Sequence, residues 1–336
     1  MNMDYKELID SNSKLSNVIL ETMYVDESFT NQERKEKALK DIEWMLQFIY
    51  EGIHLDNVRI VEHLLLWYKK LFKGLDIDTQ HVDLLFSTTK KVLHNHFHSK
   101  EIDLFLERVN TEAEQQSSHL LKNNPYAKEK EIYLDALLNS DRKRAQTLVN
   151  QLVSDDVSIS DIYIYIFQDT MRHIGLLWQE GKIKVGREHY ATALTQFLMS
   201  TLYPKVFSSE KKDKKLLACT VGSELHEMGI RMVADLFEIN GWDTNYLGAN
   251  LPASFISDFA KQFQPDVIAL SVTMPYHLST LKETIKLIRD NEALSKVKIM
   301  VGGFPFLDNE SLYKNIGADA YAPNALEGVS IANSLL

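Results

Sequence analysis

Residues 222–229 read GSELHEMG and follow the apolar run KLLACTV, so Glu224 stands two residues before His226 and Gly229 three residues after it. A neutral imidazole is a good transition-metal ligand. A carboxylate on its other nitrogen fixes the tautomer and raises the basicity of the coordinating one. Two more stretches carry unusual residues at the ends of apolar runs: Ser271 and Thr273 in LSVTM, and Gly302 and Gly303 in VGGF. The first stretch offers one histidine, so a metal held there arrives with its in-plane positions already filled, as in a macrocyclic cofactor. Paired glycines have no Cβ and leave room for a bulky group between strand ends. The bland alternative is that His226 caps a helix and VGG is an ordinary turn.

The elements that position these residues follow from the hydrophobic period. After SSEKKDKK, read as a charged linker, the β-rich runs LLACTV, TNYLG, VIALSV, VKIMVGG and ADAYA alternate with the amphipathic stretches EMGIRMVADLFEIN, PASFISDFAKQF, LSTLKETIKLIRD and NESLYKNI. Such alternation predicts an α/β doubly wound domain, a parallel sheet wrapped by helices with right-handed crossovers. With the flavodoxin-like order 2-1-3-4-5, the ligand crevice falls outside the carboxyl ends of strands 1 and 3. Up to about residue 209 the apolar spacing is helical instead. DIEWMLQFIYEGI places Ile42, Met45, Leu46 and Ile49 on one face, and VRIVEHLLLWYKKLF repeats the pattern with Ile60, Leu64, Trp67 and Leu71. NNPYAKEKE marks a boundary near residue 123.

Composition narrows the class. The 336 residues are 45% hydrophobic and carry a formal net charge of −10, which speaks for packed cores and against nucleic-acid binding. No apolar stretch approaches the roughly 20 residues of a membrane span, and MNMDYKELID lacks the order of a signal peptide. The single cysteine, Cys219, leaves no disulfide framework or thiolate metal site within one chain. A cytoplasmic protein is expected.

ELHEMG, SVT and GG together resemble the cobalamin-binding module of corrinoid proteins, with its Asp/Glu-x-His-x-x-Gly, Ser-x-Leu/Thr and Gly-Gly signatures, over residues 213–336. The resemblance implies a Rossmann-like domain in which His226 is the lower axial ligand of cobalt. Glu224 and Ser271 would complete its hydrogen-bonded relay, with Gly229 and Thr273 in the same motifs. Gly302 and Gly303 would line the channel for the displaced nucleotide tail.

Upstream, LWQEGKIKVGREHYAT resembles the Trp-x9-Glu-His pattern in the helical cap of adenosylcobalamin photoreceptors. This implies a four-helix bundle over residues 124–209, with Trp178 shielding the adenosyl group and Glu188 and His189 contacting it and the corrin rim. Light-responsive MerR-type repressors carry a histidine directly after this tryptophan. Gln179 stands here instead, which leaves His173 and His189 as candidate upper ligands.

Residues 1–123 show no helix-turn-helix or basic surface and resemble the helical domain of photocobilins, which hold a bilin beside cobalamin. Any biliverdin would be held noncovalently, since the segment has no cysteine, with His54, His63 and Trp67 in the region most alike. In HNHFHSK, His94 and His98 share a helix face, as a metal pair or as a solvated helix end. The aromatic stripe Trp44, Phe48, Trp67 and Phe72 reads as core.

The expectation is a light sensor, a regulatory protein rather than an enzyme, that binds adenosylcobalamin with biliverdin as candidate second chromophore. It would signal through a homo-oligomer or a partner protein, with no nucleic acid and no membrane. The alternative is a corrinoid carrier of a cobalamin-dependent methyltransferase system. A third reading is a regulator that uses cobalamin as a ligand in the dark.

Overall fold

A computed structural model describes residues 10–23, 32–111, 120–207, 210–307 and 311–336. The chain divides into two compact units, residues 1–117 with 179–182, and residues 118–178 with 183–336. The signal-peptide reading of the first residues lies outside the described ones.

The first unit is helical: α1 (Asn12–Met23), α2 (Gln32–His54), α3 (Arg59–Gly74), α4 (Gln80–Phe97) and α5 (Lys100–Arg108). Ile42, Met45, Leu46 and Ile49 are all buried, as the 3.6-residue period of α2 requires. Phe48 joins them in the core, whereas Trp44 is 45% exposed and lies outside it. Helix α4 stops at His98, which takes the left-handed conformation (φ 48°), and the Ser99 side chain caps α5 by accepting the Ile102 N–H. His98 ends the helix, yet its ring still lies beside that of His94, edge-on with centroids 6.2 Å apart. His94 Nδ1 lies 2.9 Å from Oδ2 of Asp103, and no cluster of three metal-binding side chains occurs among the described residues.

The second unit begins with α6 (Ala127–Leu138) and α7 (Arg142–Ser154), the latter capped by Asp141, which accepts the Arg144 N–H at 3.0 Å. IYIYIFQ alternates with a strand-like period but folds as a π-helical stretch, Ile162–Gln168, running into α8 (Asp169–Gln179). The Asp169 N–H reaches back five residues to the Ile164 carbonyl. That wider winding places Tyr163 and Phe167 in the core together. Helix α9 (Val185–Thr201) completes this part.

Then come β1 (Lys215–Thr220), α10 (Met228–Ile239), β2 (Asp243–Gly248), α11 (Ala253–Phe263), β3 (Val267–Ser271), α12 (Leu278–Arg289), β4 (Lys298–Gly302), β5 (Ala320–Tyr321) and α13 (Ala325–Leu335). All strand pairs are parallel, in the order β2-β1-β3-β4-β5, with the order reversing at β1 and β3. Residues of β3 are buried throughout, which is why VIALS is a continuous apolar run. Burial pushes the Cys219 thiol of β1 up to about 12, so it behaves as a small hydrophobe. One apolar core runs from Tyr133, Tyr163 and Phe167 to Leu236, Phe237 and Trp242.

The charged stretch before β1 is not a free linker. The Lys212 N–H donates to the Gly241 carbonyl at 2.6 Å, and the Lys211 ammonium donates to Glu238 and to the Trp242 carbonyl. Lys214 lies 5.4 Å from the ring of Trp242, which is fully buried, so this stretch lies along the turn that the tryptophan anchors. No helix among the described residues is long and apolar enough to cross a membrane.

Candidate cobalamin site

Register places Thr220, Ser271 and Gly302 side by side across the ends of β1, β3 and β4. The loop leaving β1 folds over this row. Its backbone is fixed by the buried Thr220 hydroxyl, which donates to the Glu224 carbonyl at 2.8 Å, and by the Asn250 N–H, which donates to the same oxygen at 3.2 Å. Thr220 was not singled out from the sequence, because a threonine closing an apolar run is unremarkable as a residue type.

The Glu224 side chain is 1% exposed and uses both of its oxygens. Oε1 accepts the His226 N–H at 3.0 Å and stands 2.5 Å from His226 Nδ1. Oε2 accepts the N–H groups of Thr273 at 2.7 Å and Met274 at 2.8 Å. Burial would raise this carboxyl. The hydrogen bonds from the His226 side chain and from the Met274 and His226 N–H groups outweigh it and hold the group at about 2. An ionised carboxylate only accepts, so Nδ1 of His226 is the donor and Nε2 keeps its lone pair. The imidazole is 59% exposed. Its basicity is raised first by the Glu224 hydrogen bond, against burial, and further by the charges of Glu224 and Glu188.

Ser271 sits as expected at the end of β3 and is buried, yet Glu224 takes its second pair of bonds from the backbone of Thr273 and Met274 rather than from the serine hydroxyl. Gly303 has φ +112°, and a Cβ there would stand 1.8 Å from the Val272 carbonyl oxygen. The VGG turn is therefore set by the close approach of the β3 and β4 ends. At Gly302 a Cβ would come 3.3 Å from the Ala322 carbonyl oxygen. Gly229, on the first turn of α10, is different: a Cβ would meet nothing within 4 Å.

The stretch GSELHEMG offers one histidine, and the fold brings a second imidazole near it. His277, in the turn Pro275–His277 after β3, is buried, which lowers its basicity, and it feels the charges of both Glu224 and His226. From the helical part, Glu188 on α9 lies close enough for its charge to raise His226. Its carboxylate accepts from Thr192 Oγ1 at 2.9 Å and lies 2.6 Å from Nδ1 of His189, whose ring is exposed. Trp178 is the penultimate residue of α8 and is partly buried. Gln179 groups with the first unit, in the segment 179–182. His173, the other candidate upper ligand, lies against Lys130. Its Nδ1 faces the Lys130 ammonium at 3.0 Å, and an ammonium can only donate, so the proton sits on Nε2.

Fold and site define a class: a doubly wound parallel α/β domain that presents a carboxylate-fixed imidazole at its topological switch point. The residues suit a corrin cofactor, since His226 Nε2 keeps its lone pair on an exposed ring and a Cβ at Gly229, three residues on, would meet open space. Two family models, each described as a B12 binding domain, match residues 130–203 and 214–330. The dimethylamine corrinoid protein of Methanosarcina barkeri is 30% identical over 169 residues, spanning 49% of this chain and 78% of the relative. Dimethylamine corrinoid protein 3 of Methanosarcina acetivorans is 29% identical over 167 residues, with the same shares. Among solved structures, the monomethylamine corrinoid protein of Methanosarcina barkeri superposes with a TM-score of 0.57 at 20% identity, over 63% of this chain and all of that one, a likeness of fold. The chain belongs to the cobalamin-binding corrinoid protein family.

Proposed function

We propose that the protein is a corrinoid carrier, holding cobalamin for a partner methyltransferase that acts on a small methylated compound. The observation that carries this reading is the fixed tautomer of His226: with Nδ1 donating to Glu224, Nε2 would be the atom to hold cobalt. The names of the relatives, corrinoid proteins of methylamine systems, support the carrier role over sensing. Bound cobalamin supplies a cobalt centre able to accept and release a methyl group. Glu224 keeps the imidazole oriented and electron-rich, Thr220 and Asn250 hold the loop, and Gly229 leaves its space open. Gly302 and Gly303 form the turn along which the nucleotide tail would pass. The division into a sheet domain at 213–336, a cap at 124–209 and a separate N-terminal domain at 1–123 belongs to this reading.

Light sensing through adenosylcobalamin is the second reading, supported by the Glu188–His189 pair on α9 and by the reach of Glu188 to His226. In it, Trp178, Glu188 and His189 would enclose the adenosyl group, and the signal would pass through a homo-oligomer or a partner. A bilin in the first unit would belong to this reading; its support is a helical unit with His54 ending α2 and His63 and Trp67 one turn apart on α3.

Competition between methylcobalamin and adenosylcobalamin in the dark, followed by green light, separates the two. The carrier binds both within about threefold and keeps its hydrodynamic size under light. A preference for adenosylcobalamin of about tenfold or more, roughly 1.4 kcal/mol, with a light-driven change of oligomer, would establish the sensor.

A further inference from the structure

His226 lies between two carboxylates that are tied to opposite sides. Glu224 anchors the loop toward β3 through Thr273 and Met274. Glu227, the residue before α10, turns its side chain the other way. Its Oε2 accepts from the Tyr246 hydroxyl of β2 at 2.8 Å, and its Oε1 accepts from Nε2 of Gln196 on α9 at 3.2 Å. Gln196 continues the helical row Glu188, Thr192, Gln196, spaced four residues apart, so one stripe of α9 faces the ligand loop. Gly248 at the end of β2, with φ +83°, lies beside this side chain: a Cβ there would stand in ordinary contact with Glu227 Oε2, at 3.6 Å.

Helix starts usually place an acidic side chain where it caps their own N–H groups. Glu227 makes no such bond, and its carboxylate is committed to β2 and the helical cap instead.

We propose that Glu227 is a positioning residue that couples helix α9 to the His226 loop, so that the placement of the cap sets how firmly the imidazole is presented to cobalt. This rests on the reading of His226 as the axial ligand. A rigid strap one residue beyond the ligand restricts the loop's φ/ψ freedom, and a tie that spans two elements transmits any displacement of one to the other.

The full-length protein, reconstituted with hydroxocobalamin and reduced to cob(II)alamin, gives two readouts. These are the affinity and, with ¹⁵N-histidine labelling, the axial-nitrogen splitting in the electron paramagnetic resonance spectrum. Glu227→Ala and Gln196→Ala cut the same tie from opposite ends. Each is expected to weaken cobalamin affinity about tenfold and to lower the histidine-ligated fraction, while the double variant loses no more than Glu227→Ala alone. Glu227→Gln, whose amide oxygen still accepts from Tyr246 or Gln196, should retain most of both. The proposal is overturned if Gln196→Ala leaves the ligated fraction at the wild-type level. It is overturned equally if the two losses multiply in the double variant, or if the variants lower only the melting temperature. Wild-type affinity and splitting in His226→Ala would instead remove the axial-ligand reading on which it rests.

Discussion

Oε1 of Glu224 stands 2.5 Å from Nδ1 of His226, while Oε2 of the same carboxylate holds the N–H groups of two residues beyond β3. The group that fixes the imidazole is thereby locked to the neighbouring strand end. In protein labelled with ¹⁵N-histidine, His226→Ala should abolish the ¹⁵N splitting of bound cob(II)alamin, measured by electron paramagnetic resonance. Glu224→Gln should weaken cobalamin binding about 10–100-fold, because the amide nitrogen cannot accept where three N–H groups and an imidazole donor converge. Titration of protein against hydroxocobalamin checks this, and an affinity within threefold of wild type would count against the role of Glu224.

Two glycines of the site should respond oppositely to alanine. At Gly303 the new Cβ collides with the Val272 carbonyl and the backbone stands at φ +112°, so Gly303→Ala should cost about 2 kcal/mol or more in denaturant unfolding. At Gly229 the space is open and the backbone helical, so Gly229→Ala should raise the stability of the cofactor-free protein by about 0.5–1 kcal/mol. The same variant should bind cobalamin more weakly, because the methyl group occupies space a corrin would need. A stable Gly229→Ala variant that binds as wild type would place the corrin elsewhere.

Thr220 offers an isosteric test of the loop. Its hydroxyl is fully buried and donates to the Glu224 carbonyl. Thr220→Val removes that donor and leaves a buried acceptor with one partner fewer, a loss of about 1–3 kcal/mol in unfolding free energy. Chemical denaturation at neutral pH measures it.

The pH dependence of stability should carry a signature of Asp235. Burial raises this carboxyl to about 6, against the Tyr163 hydroxyl that donates to it at 2.8 Å and the nearby Arg231. A carboxyl whose folded value lies above its unfolded one binds more protons in the folded state. Its contribution to stability is therefore complete below about pH 4 and is lost as pH rises through about 6. Asp235→Asn keeps an acceptor for Tyr163 and removes the charge. Relative to wild type, it should gain stability on the order of 2–3 kcal/mol between pH 4 and pH 7. A constant difference between the two proteins across that range, in unfolding followed by circular dichroism, would refute the assignment.

Much of the site could be read before any coordinates, because its chemistry demands particular side chains. ELHEMG names the imidazole and its carboxylate, and VGG names a turn where Gly303 has no substitute. The partners of Glu224 Oε2 were not legible. They are backbone N–H groups, which nearly every residue possesses, and only the path after β3 aims two of them at one oxygen. Lys211 and Lys212 read as part of a linker, and nothing in their surroundings marked out Glu227 or His277; in each case the deciding contact comes from another element.

The same division holds for the fold. The two-residue and 3.6-residue periods fixed which segments are strands and which are helices, because a side chain's direction follows its own backbone. IYIYIFQ, inside the stretch read as helical, is helical, but its winding is the wider π form with Tyr163 and Phe167 packed into the core. The amino-acid sequence by itself determined the donor set, the parallel α/β class and the helical character of the residues before it. Only the tertiary structure decided which nitrogen of His226 is left for a metal, which strand holds Glu224, and that Glu227 ties the ligand loop to α9. Those outcomes depend on hydrogen bonds between segments far apart in the chain, and no local spacing encodes their direction.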